Sequence, residues 1–153
     1  MRRKDLEVLE KEKLVEILDA CKVCRLGIAD EFPYIVPMNF GYSWDETLTL
    51  YFHSAPKGRK IDLIAANPKV SFEMDTDHVL VEGCTACRYT YKYASLFGEG
   101  TARFLTDYEE KLNALKAVMR RVTGSDEYAY DDLAVKSVAV FAVDVTMITG
   151  KKR

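Results

Sequence analysis

The sequence predicts a mainly β fold, a β-barrel with added helices, in one unit spanning residues 1–153. Three observations predict it. Apolar and polar residues alternate with a period of two over several stretches, apolar residues recur at helical spacing in only a few, and Gly, Pro and Asn clusters punctuate the chain between them. With 153 residues, 48% of them hydrophobic, the chain has the length of one domain and can bury one sizeable core.

The elements follow in order. Leu14, Ile17, Leu18 and Cys21 recur at i, i+3, i+4 and i+7, which predicts a helix over residues 10–21. Residues 23–29 then alternate as a first strand. Residues 33–42 read as a second, with Tyr34, Val36, Met38 and Phe40 on one face and Ile35, Pro37 and Asn39 on the other. Pro37 has no ladder donor and marks an edge or bulged position. After a turn at residues 43–46, residues 47–53 form a third strand whose Leu48, Leu50 and Phe52 face inward. Tyr51 and His53 fall on its other face, open to a ligand or partner.

Ala55-Pro56-Lys57-Gly58 interrupts the pattern, and a short helix over residues 59–66 carries Ile61, Ile64 and Ala65 on one side before stopping at Asn67-Pro68. Residues 70–74 are a strand, residues 78–81 extend one, and Glu82-Gly83-Cys84 reads as a loop. Residues 91–105 make a long strand whose glycines mark bending or close backbone approach. Thr106 and Glu109 form a capping box for a helix with Leu112, Leu115, Met119 and Val122 on one face and Gly124 at its end. Residues 137–145, nearly all apolar, are a central strand, and the total comes to four to seven.

Charge and cysteine usage narrow the function. The 22 basic and 24 acidic side chains are interspersed, which argues against a nucleic-acid partner. The basic start, Met1-Arg2-Arg3-Lys4, leads into an acidic amphipathic stretch rather than an apolar leader, and no apolar run has membrane-spanning length, so a cytoplasmic protein without membrane contact is expected. The four cysteines form two Cys-x-x-Cys pairs. Zinc would need both pairs on turns, whereas Cys21 closes a helix and Cys24 opens an apolar strand, so the expectation is no metal and a buried first pair. Cys84 and Cys87 are the more exposed pair and the better candidates for redox sensitivity.

The sharpest local feature is the strand ending at His53 that runs through Ser54, Lys57 and Gly58 into a helix starting at Arg59-Lys60. A helix start presents unpaired amides and positive dipole, and the added cations suit a terminal phosphate. An ordinary turn with solvated cations has the same local composition. The glycine spacing is not that of a P-loop. Tyr89, Tyr91 and Tyr93 recur at strand spacing, either as packing or as a wall beside a ligand.

Taken in order, residues 23–28, 33–42, 50–55 with 58–60, and 95–103 resemble the pyridoxamine 5'-phosphate oxidase-like flavoproteins, and within them the nitroimidazole-resistance branch. The resemblance covers nearly the whole chain. It implies an FMN-binding split barrel of six or seven strands, a homodimer with flavins in grooves between the subunits. It places Tyr34, Ile35, Val36, Pro37, Met38 and Asn39 beside the flavin ring and ribityl chain, with Phe52, His53 and Ser54 at the edge of the ring. It puts Arg59 and Lys60, with Lys57 beside them, on the phosphate, and Ser95 near the ring or chain.

Branch members carry a histidine at the place of His53, which makes it the candidate catalytic residue: a proton donor, or a hydrogen-bond partner of the flavin or of the second subunit. The activity implied is two-electron reduction of a small compound, nitroaromatics included, with NAD(P)H docking transiently because no GxGxxG fingerprint is present. A non-catalytic flavin- or haem-binding protein and pyridoxamine-phosphate oxidation are the alternatives. The oxidase itself has a tryptophan near its C-terminus, whereas the one Trp here is Trp44.

Overall fold

The computed structural model describes residues 3–153. A short 3-10 turn at Lys4–Leu6 precedes strand β1 (Glu7–Val8), helix α1 (Lys11–Ala20), and strands β2 (Cys24–Ile28), β3 (Tyr34–Met38), β4 (Gly41–Trp44) and β5 (Leu48–Ser54). Helix α2 (Arg59–Ala66), the long strands β6 (Lys69–Val81) and β7 (Thr90–Leu105), helices α3 (Tyr108–Thr123) and α4 (Asp132–Ser137), and strand β8 (Ala139–Lys152) complete the chain. All pairings are antiparallel, in the order β3-β2-β6-β7-β8-β5-β4, with β1 added on β8. The mainly β architecture is the one the alternation predicts, with seven strands on the main path and the two-residue β1 as an eighth.

The two ends of that path, β3 and β4, are joined by Asn39 and Phe40 alone. Three Cα steps span at most about 11 Å, so the sheet must curl until its edges meet there. The sequence pattern reads residues 33–42 as one strand. It is two, because β3 pairs with β2 while β4 pairs with β5, and the fully buried Phe40 is the pivot where the chain changes partner.

Inside the curled sheet lie Leu26, Ile28, Leu50, Phe52, Phe72, Met74, Leu96 and Phe141, with Phe52 stacked on Phe141 at 5.2 Å between centroids. Helix α1 closes one opening with Leu14, Ile17 and Leu18, the predicted stripe. Its C-terminal carbonyls have no local cap; instead the Arg121 guanidinium from α3 donates to the carbonyls of Leu18 (3.0 Å), Asp19 (2.6 Å) and Cys21. Helix α3 lies over β4 and β5 so closely that a Cβ on Gly41 would stand 2.4 Å from the backbone of Ala117 and Val118.

Other details depart from the periodicity. The N-cap of α3 is Asp107, whose Oδ1 accepts the Glu110 amide at 3.0 Å, rather than Thr106. Its buried positions are Lys111, Ala114 and Val118, while Val122 is 58% exposed. In α2 the core contacts come from Leu63 and Ile64, and Ala65 is exposed. Among the described residues no helix is long and apolar enough to cross a membrane.

Candidate functional site

Strand β5 buries Leu48, Leu50, Phe52 and Ser54 and turns Thr49, Tyr51 and His53 to the opposite face, as the alternation requires. His53 is exposed there. The chain leaves β5 at Ser54, crosses Ala55-Pro56-Lys57 and enters α2 through Gly58, which has φ +132° and no atom within 4 Å of where a Cβ would stand. Only glycine adopts that φ without strain, and the open space lets another group reach the backbone. The first intrahelical bonds run from the amides of Ile61 (2.9 Å) and Asp62 (3.2 Å) to the Gly58 carbonyl. The preceding amides, those of Arg59 and Lys60, are the ones a helix start leaves for an external acceptor.

A cavity of about 490 Å³ opens at this point, lined by Met38, His53, Ser54, Pro56, Lys60 and Val138 among others. Lys60 Nζ donates to the nearly buried Ser54 Oγ at 2.9 Å, so a cation and a hydroxyl are already held together in its wall. On the other side of His53 a second, more apolar cavity of about 460 Å³ is bounded by Leu115, Met119, Tyr128, Tyr130 and Val135 from α3, α4 and the segment between them. His53 and Val138 are common to both cavities, so the imidazole stands on the rim between a polar and an apolar compartment.

Arg59 is placed differently. Its Nε (2.9 Å) and Nη2 (2.6 Å) both donate to Asp30 Oδ2, and its guanidinium lies 4.7 Å from the centroid of the Tyr34 ring. The pair holds the Asp30 carboxyl below its usual range, helped by the Glu31 amide on Oδ1. Arg59 is therefore held on Asp30 and Tyr34, outside the lining of this cavity, while Lys60 enters it.

A larger groove of about 850 Å³ lies on the outer sheet face by Asp30, Ser71, Glu99 and Thr146, with Lys69 its lone cation. Glu99 and Asp30, the latter itself held by Arg59, disfavour an anion there, whereas the lining of the Lys60 cavity carries no carboxylate.

The predicted site residues divide into four groups. Met38, His53, Ser54 and Lys60 line the cavity, Lys57 lies in the turn that leads from it into α2, and Arg59 is held on Asp30 outside it. Tyr34 and Val36 pack against the core, whereas Ile35 and Pro37 point outward and Asn39 is exposed. The Phe52 side chain is fully buried against Phe141, which leaves only its backbone to face a ligand. Ser95 lies elsewhere: it pairs with Lys151 of β8, whereas His53 pairs with Val140, and these positions are 151 − 140 = 11 residues apart. That is roughly 36 Å of extended strand, so one chain does not bring Ser95 to His53.

Asp30, Ser137, Val138 and the α3–α4 wall were not among the candidates. They come from distant segments and carry no local signal except the Asp131 cap of α4, whose Oδ1 accepts the Ala134 amide at 2.8 Å.

Known proteins share the fold. The family model described as pyridoxamine 5'-phosphate oxidase matches residues 10–152. The structure of a candidate 5-nitroimidazole antibiotic resistance protein from Bacteroides thetaiotaomicron VPI-5482 is similar, with TM-score 0.83 and 37% identity over 95% of this chain and 86% of that one. The flavocytochrome Anf3 from Azotobacter vinelandii shares the fold at TM-score 0.83 and 18% identity, over 100% of this chain and 72% of that one. An uncharacterized protein of Rhizobium meliloti (strain 1021) is 36% identical over 70 residues, 45% of this chain and 44% of its own length, so less than half of that relative is matched.

Proposed function

The chain belongs to the pyridoxamine 5'-phosphate oxidase family, and from that premise we propose that it is an FMN-dependent oxidoreductase reducing a small compound, nitroaromatics included. One observation carries the reading: Lys60 on Ser54, the glycine-opened start of α2 and His53 all meet at one cavity. The donor set fits a phosphate monoester, since the Lys60 cation, the Ser54 hydroxyl and two helix-start amides come together where backbone can approach. The apolar compartment across His53 suits a flat aromatic group. Likeness to the Bacteroides protein favours a nitro compound as substrate.

In this reading Lys60, Ser54 and the Arg59 and Lys60 amides hold the phosphate, and Arg59 adds its free Nη1 edge from its place on Asp30. Met38 and Val138 exclude water beside the ring. A bound flavin would supply two-electron transfer from a transiently docked nicotinamide to the substrate. His53 would give a proton from an imidazole nitrogen to the reduced substrate, from a position where solvent can reload it. Because the β8 partners of Ser95 and His53, Lys151 and Val140, lie far apart along that strand, the part of Ser95 in the site is assigned to a second copy of the chain.

Binding of FMN and of riboflavin, titrated side by side, tests the phosphate site. Lys60→Ala and Arg59→Ala should each weaken FMN by about 10- to 150-fold, the loss of a charge-assisted contact of about 1.5 to 3 kcal/mol, and leave riboflavin nearly unchanged. Equal losses for both ligands would refute the placement. Purified protein should show flavin absorption bands, and a Soret band instead would replace FMN by haem. Anaerobic reduction with NADH or NADPH followed by a nitroaromatic should reoxidise the bound flavin, and His53→Ala should slow that step. No reduction by either donor would turn the reading to a binding protein.

A further inference from the structure

The spacing Cys-x-x-Cys occurs twice, and the fold treats the two copies oppositely. Cys21 and Cys24 are fully buried. Burial pushes the Cys21 thiol up to about 11, and Cys24, deeper in the core, also goes up. The thiolate is the nucleophile in disulfide exchange, so this pair is inert near neutral pH. Cys84 and Cys87 are both exposed, at the connection between β6 and β7.

That connection is tightly closed. The Arg88 amide donates to the Thr85 carbonyl at 2.9 Å and the Tyr89 amide to the Ala86 carbonyl at 3.3 Å, forming a 3-10 turn over Ala86–Arg88. Gly83 lies so near Arg88 that a Cβ on it would stand 2.5 Å from both the Arg88 carbonyl carbon and the Arg88 Cβ. The backbones on either side of residues 84–87 thus touch, and the two cysteines are the end residues of the four-residue loop between them. The hydrogen-bonded turns run from Thr85 to Arg88 and from Ala86 to Tyr89, with Thr85 extended, and the contact of Gly83 with Arg88 closes the loop on itself and holds its two end residues near each other; a disulfide between them needs a Cα separation of about 4.4–6.8 Å.

We propose that Cys84 and Cys87 are a reversible dithiol that a low-molecular-weight disulfide oxidises to an intramolecular disulfide. One thiolate attacks a sulfur of the small disulfide, releasing one small thiolate and leaving a mixed disulfide. The second cysteine, its proton gone to solvent, attacks the protein-side sulfur, forms the Sγ–Sγ bond and expels the second small thiolate, and both leaving groups take up protons. Two electrons pass from the protein to the small disulfide, which ends as two thiols.

The bond has a structural consequence. Residues Val79, Leu80 and Val81 pair only with Lys92, Tyr91 and Thr90, because β2 pairs with β6 no further than Glu73 and β8 pairs with β7 only from Ala94. The end of the hairpin is a two-stranded ribbon, set off from the barrel by a register shift at Thr76/Val79 where Asp77 has φ 61°. Two strands alone are marginally stable. A cross-link at the tip removes conformations from the opened ribbon and orders an arm that carries the half-exposed Val79, Leu80, Tyr89 and Tyr91.

The folded wild-type protein is incubated with glutathione disulfide, alkylated without unfolding, and weighed. Two thiols should be alkylated before treatment and none after, with the protein lighter by two hydrogens and Cys21 and Cys24 still thiols once it is unfolded. Cys84→Ser should stop at a mixed disulfide on Cys87. Amide hydrogen exchange at residues 79–81 and 90–92 should slow several-fold in the oxidised wild type and stay unchanged in treated Cys84→Ser. Retention of one glutathione on each cysteine, or bridges only between chains, would overturn the dithiol, and equal exchange in both redox states would overturn the ordering of the arm.

Discussion

Tyr42 sits where β4, α1 and α3 meet, its hydroxyl donating to Asp19 Oδ1 at 2.8 Å. Burial, with the Asp19 hydrogen bond next, raises its phenol from 10.0 to about 12, and burial raises the Cys21 thiol from 9.0 to about 11. Both are acids whose neutral form the fold prefers, so the native state holds its proton more tightly than the unfolded chain does. Their contribution is complete below the unfolded values and is lost as pH rises toward the folded ones. The thermal midpoint should therefore fall as pH climbs from 9.0 through 12. Tyr42→Phe should flatten the part of that fall above pH 10.0 and keep the thiol part below it. Identical profiles for the two proteins above pH 10.0 would show that the buried phenol contributes nothing.

Helix α3 ties the other elements together through polar groups at helix ends. Asp107 caps its start, Gly124 at φ 84° closes its end, Lys111 Nζ donates to the Lys136 carbonyl at the end of α4 at 3.0 Å, and Arg121 serves the end of α1. Asp107→Ala should cost about 1 kcal/mol, within the usual range of about 0.5–2 for a lost N-cap, read as a lower urea midpoint with an unchanged slope. Thr106→Val should cost much less, because Thr106 is not the cap. The sequence pattern names Thr106 with Glu109, and the structure corrects it by one residue, because Asp107 Oδ1 accepts the Glu110 amide. Local signals were readable in general. The stripe of α1, the bounds of α2 and the inward face of β5 follow from period and punctuation alone. What was not readable depends on distant partners. Ala114 is buried rather than Leu112 because α3 must approach Gly41 closely, and β6 runs on to Val81 because β7 pairs with it there. The site divides likewise: residues 53–60 are contiguous and declare themselves, whereas Asp30 and Val138 reach the cavity only through the fold.

At the scale of the whole molecule, the sheet leaves one broad face without a helix. Ile35 (65% exposed), Phe97 (43%) and Met147 (36%) lie on it, on β3, β7 and β8. Part of its charge is paired, Arg25 with Glu73 at 3.1 Å and with Asp75, and His78 Nε2 lies 2.7 Å from Asp75 Oδ2. We propose that a second copy of the chain covers the exposed apolar residues of this face and that its Ser95 then serves the cavity beside His53. Phe97 faces Glu73 and Thr149 across the strands, so Phe97→Asp sets a carboxylate opposite another and removes the apolar centre in one change. In sedimentation the wild type should run as a dimer and Phe97→Asp as a monomer with an unchanged far-ultraviolet circular dichroism spectrum, while Phe97→Leu remains dimeric. If Ser95 serves the partner's site, FMN affinity should fall when dimerisation is lost, by about tenfold or more, the loss of one good contact. A wild type that sediments as a monomer would leave the outer face without its proposed partner. A monomeric Phe97→Asp that binds FMN as tightly as the dimer would place the whole flavin site within one chain.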